Sequence, residues 1–443
     1  MDMSDSTKNN QTPRSMVWFP WLVCGLGALF YSYEYFLRIT PSVIMPDLMR
    51  TYGIDAERFA ILSAFYYYAY TPMQLPVGVL MDRYGPRRLL TFACLVCVAG
   101  SYIFVSTGTY ALAGFGRFLV GFGSAFAFVG VLKLATIWLP PERFALIAGL
   151  TSALGTIGAM AGDILLTKMV HETGWRATTL VFAVVGLCLA FLILFVVRDN
   201  TPEAEDLDTR TSQRDGHESI AMAIFNMFKV LLNPQMWVNG AIGCLLYLPT
   251  TAFAELWGIP YLETAYGYSD SLAALANSTI FLGFTVGGPL VGFFSDRLRN
   301  RRIPLMLGGI VGACDIATII YAPNLPHIAV FLLLFLLGFA YSVQVIVFAV
   351  SREISPESAS GSALAVTNMF VMIGGILATP IIGKLLDLHW SGLILNQVHV
   401  YSPENYRFAL AILPLGLLLG AALVGFIKET HAMNLWEAEE SNH

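Results

Sequence analysis

The stretch Gly78-Val-Leu-Met-Asp-Arg-Tyr-Gly-Pro-Arg-Arg88 is a short charged turn between two long apolar segments, and the chain contains a second copy of it. Gly292-Phe-Phe-Ser-Asp-Arg-Leu-Arg-Asn-Arg-Arg302 repeats the pattern, and Asp296 follows Asp82 by 214 positions. Each copy joins the second and third apolar segments of a block of six. The repeat therefore predicts a chain made of two halves with one design.

The segments around both turns are too apolar for a soluble protein. Of the 443 residues, 56% are hydrophobic and 12% are charged, whereas soluble domains carry about 25% charged residues. A helix needs about 20 apolar residues to cross the hydrocarbon core, and backbone groups in lipid must be satisfied internally. We therefore predict an all-α membrane protein with twelve spans, at 17–42, 58–81, 89–106, 111–138, 145–168, 177–198, 235–262, 271–294, 303–321, 328–350, 361–385 and 406–428.

The predicted spans form two six-helix bundles, at 1–198 and 235–443, joined by a polar segment at 199–234. Within that segment, residues 220–229 have the pattern of an amphipathic helix on the membrane surface. The offset of the two halves also relates Pro141-Glu142 to Pro356-Glu357. Of the 25 Lys and Arg residues, 16 fall on the side of the charged turns. The positive-inside rule places that side, and both termini, in the cytoplasm.

Several functional classes have no support in this sequence. It contains no phosphate-binding loop, no nucleophile beside a base and no cluster of metal-ligating residues. Its basic residues are spread over loops, which argues against a nucleic-acid partner. We therefore predict no enzymatic activity, no metal and no cofactor other than an ion gradient.

Seven charged residues fall inside predicted spans, where each costs about 2.5–3.5 kcal/mol and usually faces a cavity or a partner. They are Glu34, Arg38, Arg117, Lys133, Asp163, Glu255 and Asp315. Glu34 and Arg38 are four apart and share a helix face. They form either a structural ion pair or a site in which Arg38 binds a substrate carboxylate while Glu34 takes up a proton.

Two further charges, Arg117 and Glu255, have a functional and a structural interpretation. Arg117 lines a cavity, where it could hold Asp163 or Glu34, or else bonds to the protein structure. Glu255 lies in a proline-interrupted helix and would suit the amino group of a zwitterion opposite Arg38, or it faces water at the outer end. Lys133 is expected to extend to the membrane surface. Proton coupling is assigned to Glu34, Arg117 and Asp163.

Polar side chains in both halves are candidates for the lining of a substrate site. Within the run of tyrosines in the second span, Tyr67 and Tyr70 are the preferred pair because they lie one turn apart. A tyrosine run is also typical of packing or of an interfacial belt. The full predicted substrate-binding set is Arg38, Glu255, Tyr67, Tyr70, Gln74, Asn277, Gln344 and Asn368.

The first charged turn resembles the signature loop of the major facilitator superfamily, and the second is similar to the partial copy between that family's eighth and ninth helices. Arg117-Phe-Leu-Val-Gly-Phe-Gly123 resembles the family's fourth-helix motif. The resemblance covers essentially the whole chain. It implies twelve helices in two bundles and transport by alternating access, driven by a gradient.

Two narrower resemblances concern the substrate. Tyr31 to Ser42 and Trp138 to Arg143 are similar to the organic-anion/proton symporter branch, in which a first-helix arginine meets the substrate carboxylate. Ser124 stands where that branch usually has an acid. Segments 33–38, 65–74 and 254–258 look closest to the phagosomal nutrient transporters of intracellular bacteria, a group that takes up amino acids.

These resemblances lead us to predict proton-coupled uptake of a small zwitterionic or anionic nutrient, such as an amino acid. The carrier is expected to be a monomer in the bacterial inner membrane, with lipid, protons and substrate as its partners. One alternative is import or export of another metabolite, such as a siderophore, a nucleoside or an organic acid. The other is a membrane receptor without transport activity.

The charged turns are predicted to act as a gate. Asp82 would cap the eleventh helix near Gly361, with Arg83 and Arg87 bridging the two halves. Asp296 would do the same for the fifth helix near position 145. Gly78 and Arg297 complete the predicted gating set. Such contacts would exist only while the cytoplasmic mouth is closed, whereas arginines that merely follow the positive-inside rule would make none of them.

Overall fold

The computed structural model describes residues 18–140, 143–199, 220–322, 324–356 and 359–435. These residues form twelve helical spans in two six-helix bundles, as the sequence predicts. The spans, first to twelfth, are Phe19–Val43, Ala56–Tyr84, Pro86–Ser106, Tyr110–Trp138, Phe144–Thr173, Trp175–Val196, Pro234–Tyr266, Asp270–Leu298, Arg302–Tyr321, His327–Glu353, Ser360–Leu388 and Pro403–Phe426. Residues 1–17, 200–219, Pro141, Glu142 and Glu357 lie outside the described residues, as do the predictions made for them.

Ten of these spans are long and apolar enough to cross a membrane by length and composition alone. The other two are the first and second spans, which are 25 and 29 residues long. They are less apolar because they carry Glu34, Arg38 and the tyrosine run. The two least apolar spans therefore hold Glu34, Arg38 and both tyrosine candidates named from the sequence.

The seventh span is not a continuous α-helix. It consists of an α-helix at Pro234–Leu246, a π-helix at Pro249–Trp257 and a second α-helix at Gly258–Tyr266. A π-helix is rare and often marks a functional site. Glu255 lies within this segment, which Pro249 opens. The tenth span is interrupted in a similar way by a 3₁₀ turn at Ser342–Val345.

Short elements lie outside the spans. A helix at Met45–Tyr52 follows the first span, and a helix at Ile220–Leu231 precedes the seventh. The latter matches the predicted amphipathic helix, and its Phe225 and Phe228 are exposed. Between the eleventh and twelfth spans, the two-residue strands Ile394–Leu395 and Val398–His399 form an antiparallel hairpin.

The two bundles are joined at the end of the molecule remote from the charged turns, which we call the far face. The end that carries the turns is the loop face. At the far face, Asp387 of the eleventh span accepts hydrogen bonds from the backbone N–H groups of Ala56 (3.2 Å) and Glu57 (2.7 Å), which begin the second span. Gly383 packs against the Ala56 carbonyl so closely that a Cβ would collide with it. At the loop face, by contrast, a Cβ on Gly78 or Gly361 would meet nothing within 4 Å.

We predict that Asp387→Ala opens the far face. The substitution leaves the Glu57 N–H group without an acceptor, whereas the Ala56 N–H group keeps its bond to the Tyr401 hydroxyl at 3.0 Å. A hydrogen bond to a charged group contributes about 1.5–3 kcal/mol. The closed-to-open ratio should therefore fall by at least about tenfold. Distances between spin labels at Arg58 and Leu388, in a cysteine-free background, would report the change.

Asp47→Ala is the matched control for this prediction. Asp47 is also a far-face carboxylate, but it pairs at 3.6 Å with Arg50 of its own helix. Its removal should leave the distance distribution unchanged. Equal effects of the two substitutions would contradict a specific role for Asp387.

Candidate functional site

Arg38 lies at the centre of a buried charge cluster between the two bundles. Its Nη2 atom donates to both oxygens of Glu34, at 3.0 and 3.2 Å, as the spacing of four predicts. Its Nη1 atom donates to Glu255 Oε1 of the other bundle at 3.5 Å. Glu34 has no exposed surface, and Arg38 and Glu255 are each 3% exposed. Glu255 therefore faces Arg38 rather than outside water.

Tyrosines enclose this cluster. Tyr66 donates to Glu34 Oε2 at 2.8 Å and accepts from Arg38 Nε at 3.0 Å. Tyr67 donates to Glu255 across the bundles. The guanidinium carbon of Arg38 lies 4.3 Å from the ring centroid of Tyr35 and 5.0 Å from that of Tyr70. Arg38 is thus held by two carboxylates, one hydroxyl and several aromatic faces.

The structure places both preferred tyrosines, Tyr67 and Tyr70, at the cluster. The preferred set left out Tyr66 and Tyr35, which make equally close contacts. One signal was available for Tyr66, because it precedes Tyr70 by one helical turn, and the two rings stack at 5.4 Å. Tyr35 directly follows Glu34, and nothing in its spacing indicates that its ring lies against Arg38.

Arg117 does not pair with Asp163 or Glu34, so that expectation was wrong. It donates instead to the backbone carbonyls of Leu37, at 2.8 Å, and Arg38, at 3.3 Å. The reason lies in Pro41, which has no N–H group and leaves the carbonyl four residues earlier, that of Leu37, without its helical donor. Arg117 supplies that donor and fixes the helical turn that carries Arg38.

Asp163 occupies a second buried position between the bundles. Asn277 Nδ2 donates to Asp163 Oδ2 at 2.7 Å and to the carbonyl of Ala254 at 2.8 Å. Both side chains have no exposed surface. Asp163 Oδ1 and Asn277 Oδ1 have no hydrogen-bond partner among the described residues. The sequence named both residues but not their contact.

Amide side chains continue the polar path toward the loop face. Asn368 of the eleventh span donates to Gln74 Oε1 of the second at 2.9 Å. Gln344 lies in the 3₁₀ turn of the tenth span and is 2% exposed. The Nε2 atoms of Gln74 and Gln344 are buried without a partner among the described residues. Such donors suit a polar ligand, because an unpaired buried donor is otherwise unfavourable.

The gating contacts expected at the loop face are not formed in this conformation. Asp82 binds Lys133 of its own bundle at 2.6 Å instead of capping the eleventh helix, so Lys133 is an ion-pair partner and not a free surface lysine. Asp296 likewise binds Arg301 at 2.6 Å instead of the fifth helix. Each aspartate is thus held by a basic side chain of its own bundle.

The arginines of the first turn are also held within one bundle. Arg83 lies over the ring of Tyr84, and Arg87 Nε donates to the carbonyl of Leu194 at 2.8 Å. Gly85 has a φ of +78° and contacts the carboxylate of Asp199, where a Cβ would collide. The expected bridges between bundles are therefore absent while the far face is closed. The gate remains a prediction for the opposite state.

Two six-helix bundles around a buried, charge-lined centre define a membrane transport protein rather than an enzyme. Residues 25–379 match the family model of the Major Facilitator Superfamily, and the chain belongs to that family.

Curated relatives resemble the chain over most of its length. The chain is 23% identical to the probable sulfoacetate transporter SauU of Cupriavidus necator, over 83% of this chain and 87% of that protein. It is 24% identical to the membrane sensor protein UhpC of Escherichia coli, over 82% and 85%. It is 23% identical to the probable galactarate/D-glucarate transporter GudP of Bacillus subtilis, over 83% and 86%.

A solved structure supports the same fold. A bacterial homolog of the human lysosomal transporter Spinster, in an inward-facing and occupied conformation, superposes with a TM-score of 0.74. It covers 93% of this chain and 97% of its own, at 15% identity. The narrower likeness to phagosomal nutrient transporters stays a prediction.

Proposed function

We propose that this protein is a proton-coupled carrier of a small zwitterion, a molecule with one carboxylate and one ammonium group such as an amino acid. The observation that carries the proposal is the position of Arg38, which binds Glu34 of its own bundle and Glu255 of the other. A ligand that competes for Arg38 acts directly on the joint between the bundles.

The charge balance favours a zwitterion over a simple anion. Arg38 is already neutralised by Glu34, so Glu255 is in excess. A substrate carboxylate replaces Glu255 on Arg38, where the 3.5 Å contact is the longest bond that Arg38 makes to a carboxylate. The released Glu255 then accepts the substrate ammonium, and the aromatic rings of Tyr35 and Tyr70 shield both pairs from water.

Glu34 supplies one route for proton coupling. When a substrate carboxylate replaces Glu255 on Arg38, it draws the guanidinium away from Glu34, which then lacks its full counter-charge in a site with no exposed surface. A buried carboxylate without a partner is expensive, and binding a proton removes the charge. Substrate and proton thus enter together, and alternating access follows because the loaded site no longer ties the two bundles through Arg38.

The proposed setting is the inner membrane of a bacterium, with the loop face and both termini in the cytoplasm. Support comes from the bias of Lys and Arg toward that side. The far face, closed here by Asp387, would then be the outer face, and the structure would correspond to a carrier committed to cytoplasmic release.

A second candidate substrate is a small organic anion. The printed names of two relatives refer to transport of sulfoacetate and of galactarate or glucarate. An anion would use Arg38 in the same way but would need Glu34, Glu255 or both to be protonated. A third reading, sensing without transport, is favoured by the relative named as a membrane sensor.

Uptake into proteoliposomes distinguishes these functions. Purified carrier should accumulate a labelled amino acid against its gradient when the outside is acidified, and sulfoacetate or galactarate should compete weakly. Preferential accumulation of the anions would replace the zwitterion assignment. Saturable binding without flux of any class would favour the sensor.

We predict that Glu34→Gln reduces the pH dependence of substrate binding. Glutamine keeps the size of the side chain and one acceptor oxygen but cannot exchange a proton, so the apparent Kd should change less with pH than that of the native carrier. Isothermal titration at several pH values would measure this. Asp315→Asn is the control, since Asp315 is a buried span carboxylate on the ninth helix, away from Arg38. An unaltered pH profile in Glu34→Gln would remove Glu34 from the coupling path.

A further inference from the structure

We propose that Asp163 and Asn277 form a second proton-binding site, separate from the Arg38 cluster, which holds the far-face-closed state only while Asp163 carries a proton. The inference rests on the proposed proton coupling but concerns the empty carrier. The proton that controls the conformation would bind to a pair made of a carboxyl group on the fifth span and an amide group on the eighth.

The first argument is the missing counter-charge. Asp163 has no exposed surface, and its hydrogen bond in the described structure comes from a neutral amide. An ionised carboxylate in such a place is unfavourable because it is fully buried and no basic side chain of the described residues pairs with it. A neutral carboxylic acid carries no such penalty and can lie in a dry interface.

The second argument is the pattern of satisfied and unsatisfied atoms. Asn277 Nδ2 already donates to Asp163 Oδ2 and to the Ala254 carbonyl. The atoms left without a donor are Oδ1 of Asp163 and Oδ1 of Asn277. A proton on Asp163 Oδ1 is the donor that this pair lacks, and it would complete an acid and amide pair with two hydrogen bonds.

The same pattern argues against a metal cation. A sodium ion would need several oxygen ligands, yet an N–H group of Asn277 occupies Asp163 Oδ2 and the Ala254 carbonyl. An amide donor directed at those oxygens would repel a cation placed beside them. A proton needs only the two oxygens that remain.

Charged groups on the first, fourth, sixth and eighth spans, which pack against the fifth, and Glu255 on the seventh are the alternative partners for Asp163. They are Glu34, Arg38, Arg117, Lys133, Arg176, Glu255, Asp270, Asp296 and Arg297. None of the basic groups among them forms an ion pair with Asp163 in the described part of the chain. Arg38 is bound to Glu34 and Glu255, and Arg117 to backbone carbonyls. The surroundings of Asp163 therefore favour its neutral form.

The pair also lies where a proton can control conformation. Asp163 belongs to the first bundle and Asn277 to the second, and Ala254 precedes Glu255 in the π-helix. Loss of the proton from Asp163 Oδ1 to water leaves a carboxylate beside Asn277 Oδ1, and the two oxygens repel. The bundles then part at this joint, and re-protonation from the newly exposed side restores it. Proton binding and bundle closure become one event.

The test follows the conformation of the substrate-free carrier as pH changes. Spin labels at Arg58 and Leu388 report the far face, and a one-proton joint should change the closed-to-open ratio by up to about tenfold per pH unit. The native carrier should shift toward the open far face as pH rises. Asp163→Asn keeps an amide in place of the acid and should stay closed at every pH.

Thr285→Val is the matched control on the same two spans. Thr285 donates to Thr156 across the bundles at 2.6 Å and has no titratable proton. This variant should lose some closure but keep the pH response of the native carrier. A pH response in Asp163→Asn equal to that of the native carrier would overturn the proposal.

Infrared difference spectra provide a second, direct readout. The spectrum of the native carrier minus that of Asp163→Asn should show the signal of a protonated carboxylic acid at neutral pH. A difference signal from an ionised carboxylate would overturn the proposal. Closure of the far face that depends on sodium and is abolished by Asp163→Asn would also overturn it, because it would indicate a cation site. Neither readout needs substrate, so absence of amino-acid transport would refute the proposed function without affecting this result.

Discussion

Arg38→Ala is expected to abolish substrate binding and uptake. The substitution removes the group to which a substrate carboxylate would bind and leaves Glu34 and Glu255 buried without their shared counter-charge. Breaking a buried ion pair by removing one partner costs about 3–5 kcal/mol. The purified variant should therefore melt at a lower temperature, and uptake into proteoliposomes should fall to background.

Arg38→Lys separates binding from folding. Lysine keeps a positive charge between the two carboxylates but lacks the planar fork that gives a bidentate contact. We expect a folded carrier with uptake reduced by at least about tenfold, since one charge-assisted hydrogen bond contributes about 1.5–3 kcal/mol. Arg50→Lys, at a half-exposed arginine of the far face, is the control and should leave uptake unchanged. Normal uptake by a stable Arg38→Ala protein would contradict the proposed role of Arg38 in substrate binding.

Glu255→Ala is expected to abolish uptake of zwitterions. The substrate ammonium loses its carboxylate partner in a site 3% exposed to water, where solvent cannot replace it. Truncating one partner of a buried charge pair costs about 2–5 kcal/mol, or about 30-fold to several thousand-fold in affinity. Competition binding with a labelled amino acid would measure the loss.

The isosteric variant Glu255→Gln makes this prediction selective. Glutamine can still contact Tyr67, so the packing is preserved, but it no longer competes with a substrate for Arg38. Affinity for zwitterions should fall while affinity for simple carboxylates stays constant or rises. Glu263→Gln, on the helix that follows the π-segment, serves as the control. Equal losses for both ligand classes would contradict the assignment of Glu255 to the ammonium group.

Much of the site could be predicted because intramembrane charges are few and expensive. Glu34 and Arg38 were paired by their spacing of four, since a helix brings such residues together. Glu255 was placed opposite them because prolines interrupt its span. The partner of Arg117 is not predictable in this way, because helix spacing shows that Pro41 frees the Leu37 carbonyl but not which side chain of a neighbouring helix donates to it.

The loop face shows a different limit of prediction from sequence. The repeat of Asp82 and Asp296 predicts two caps between the bundles, but each acid binds a basic side chain of its own bundle. A sequence motif carries no information on which alternating state is present. The cap between bundles in this structure is instead made by Asp387 at the far face, which no repeat marked.

The sequence by itself determined that this protein crosses the membrane twelve times in two related bundles, because hydrophobic length, internal repetition and the energetic penalty of buried charge are local properties of the chain. Only the tertiary structure decided which charges meet. The contacts of Arg38 with Glu255, Asp163 with Asn277, and Asp387 with the second span join residues more than a hundred positions apart. Such pairs depend on the packing of the two bundles and on the conformational state, for which helix periodicity holds no signal.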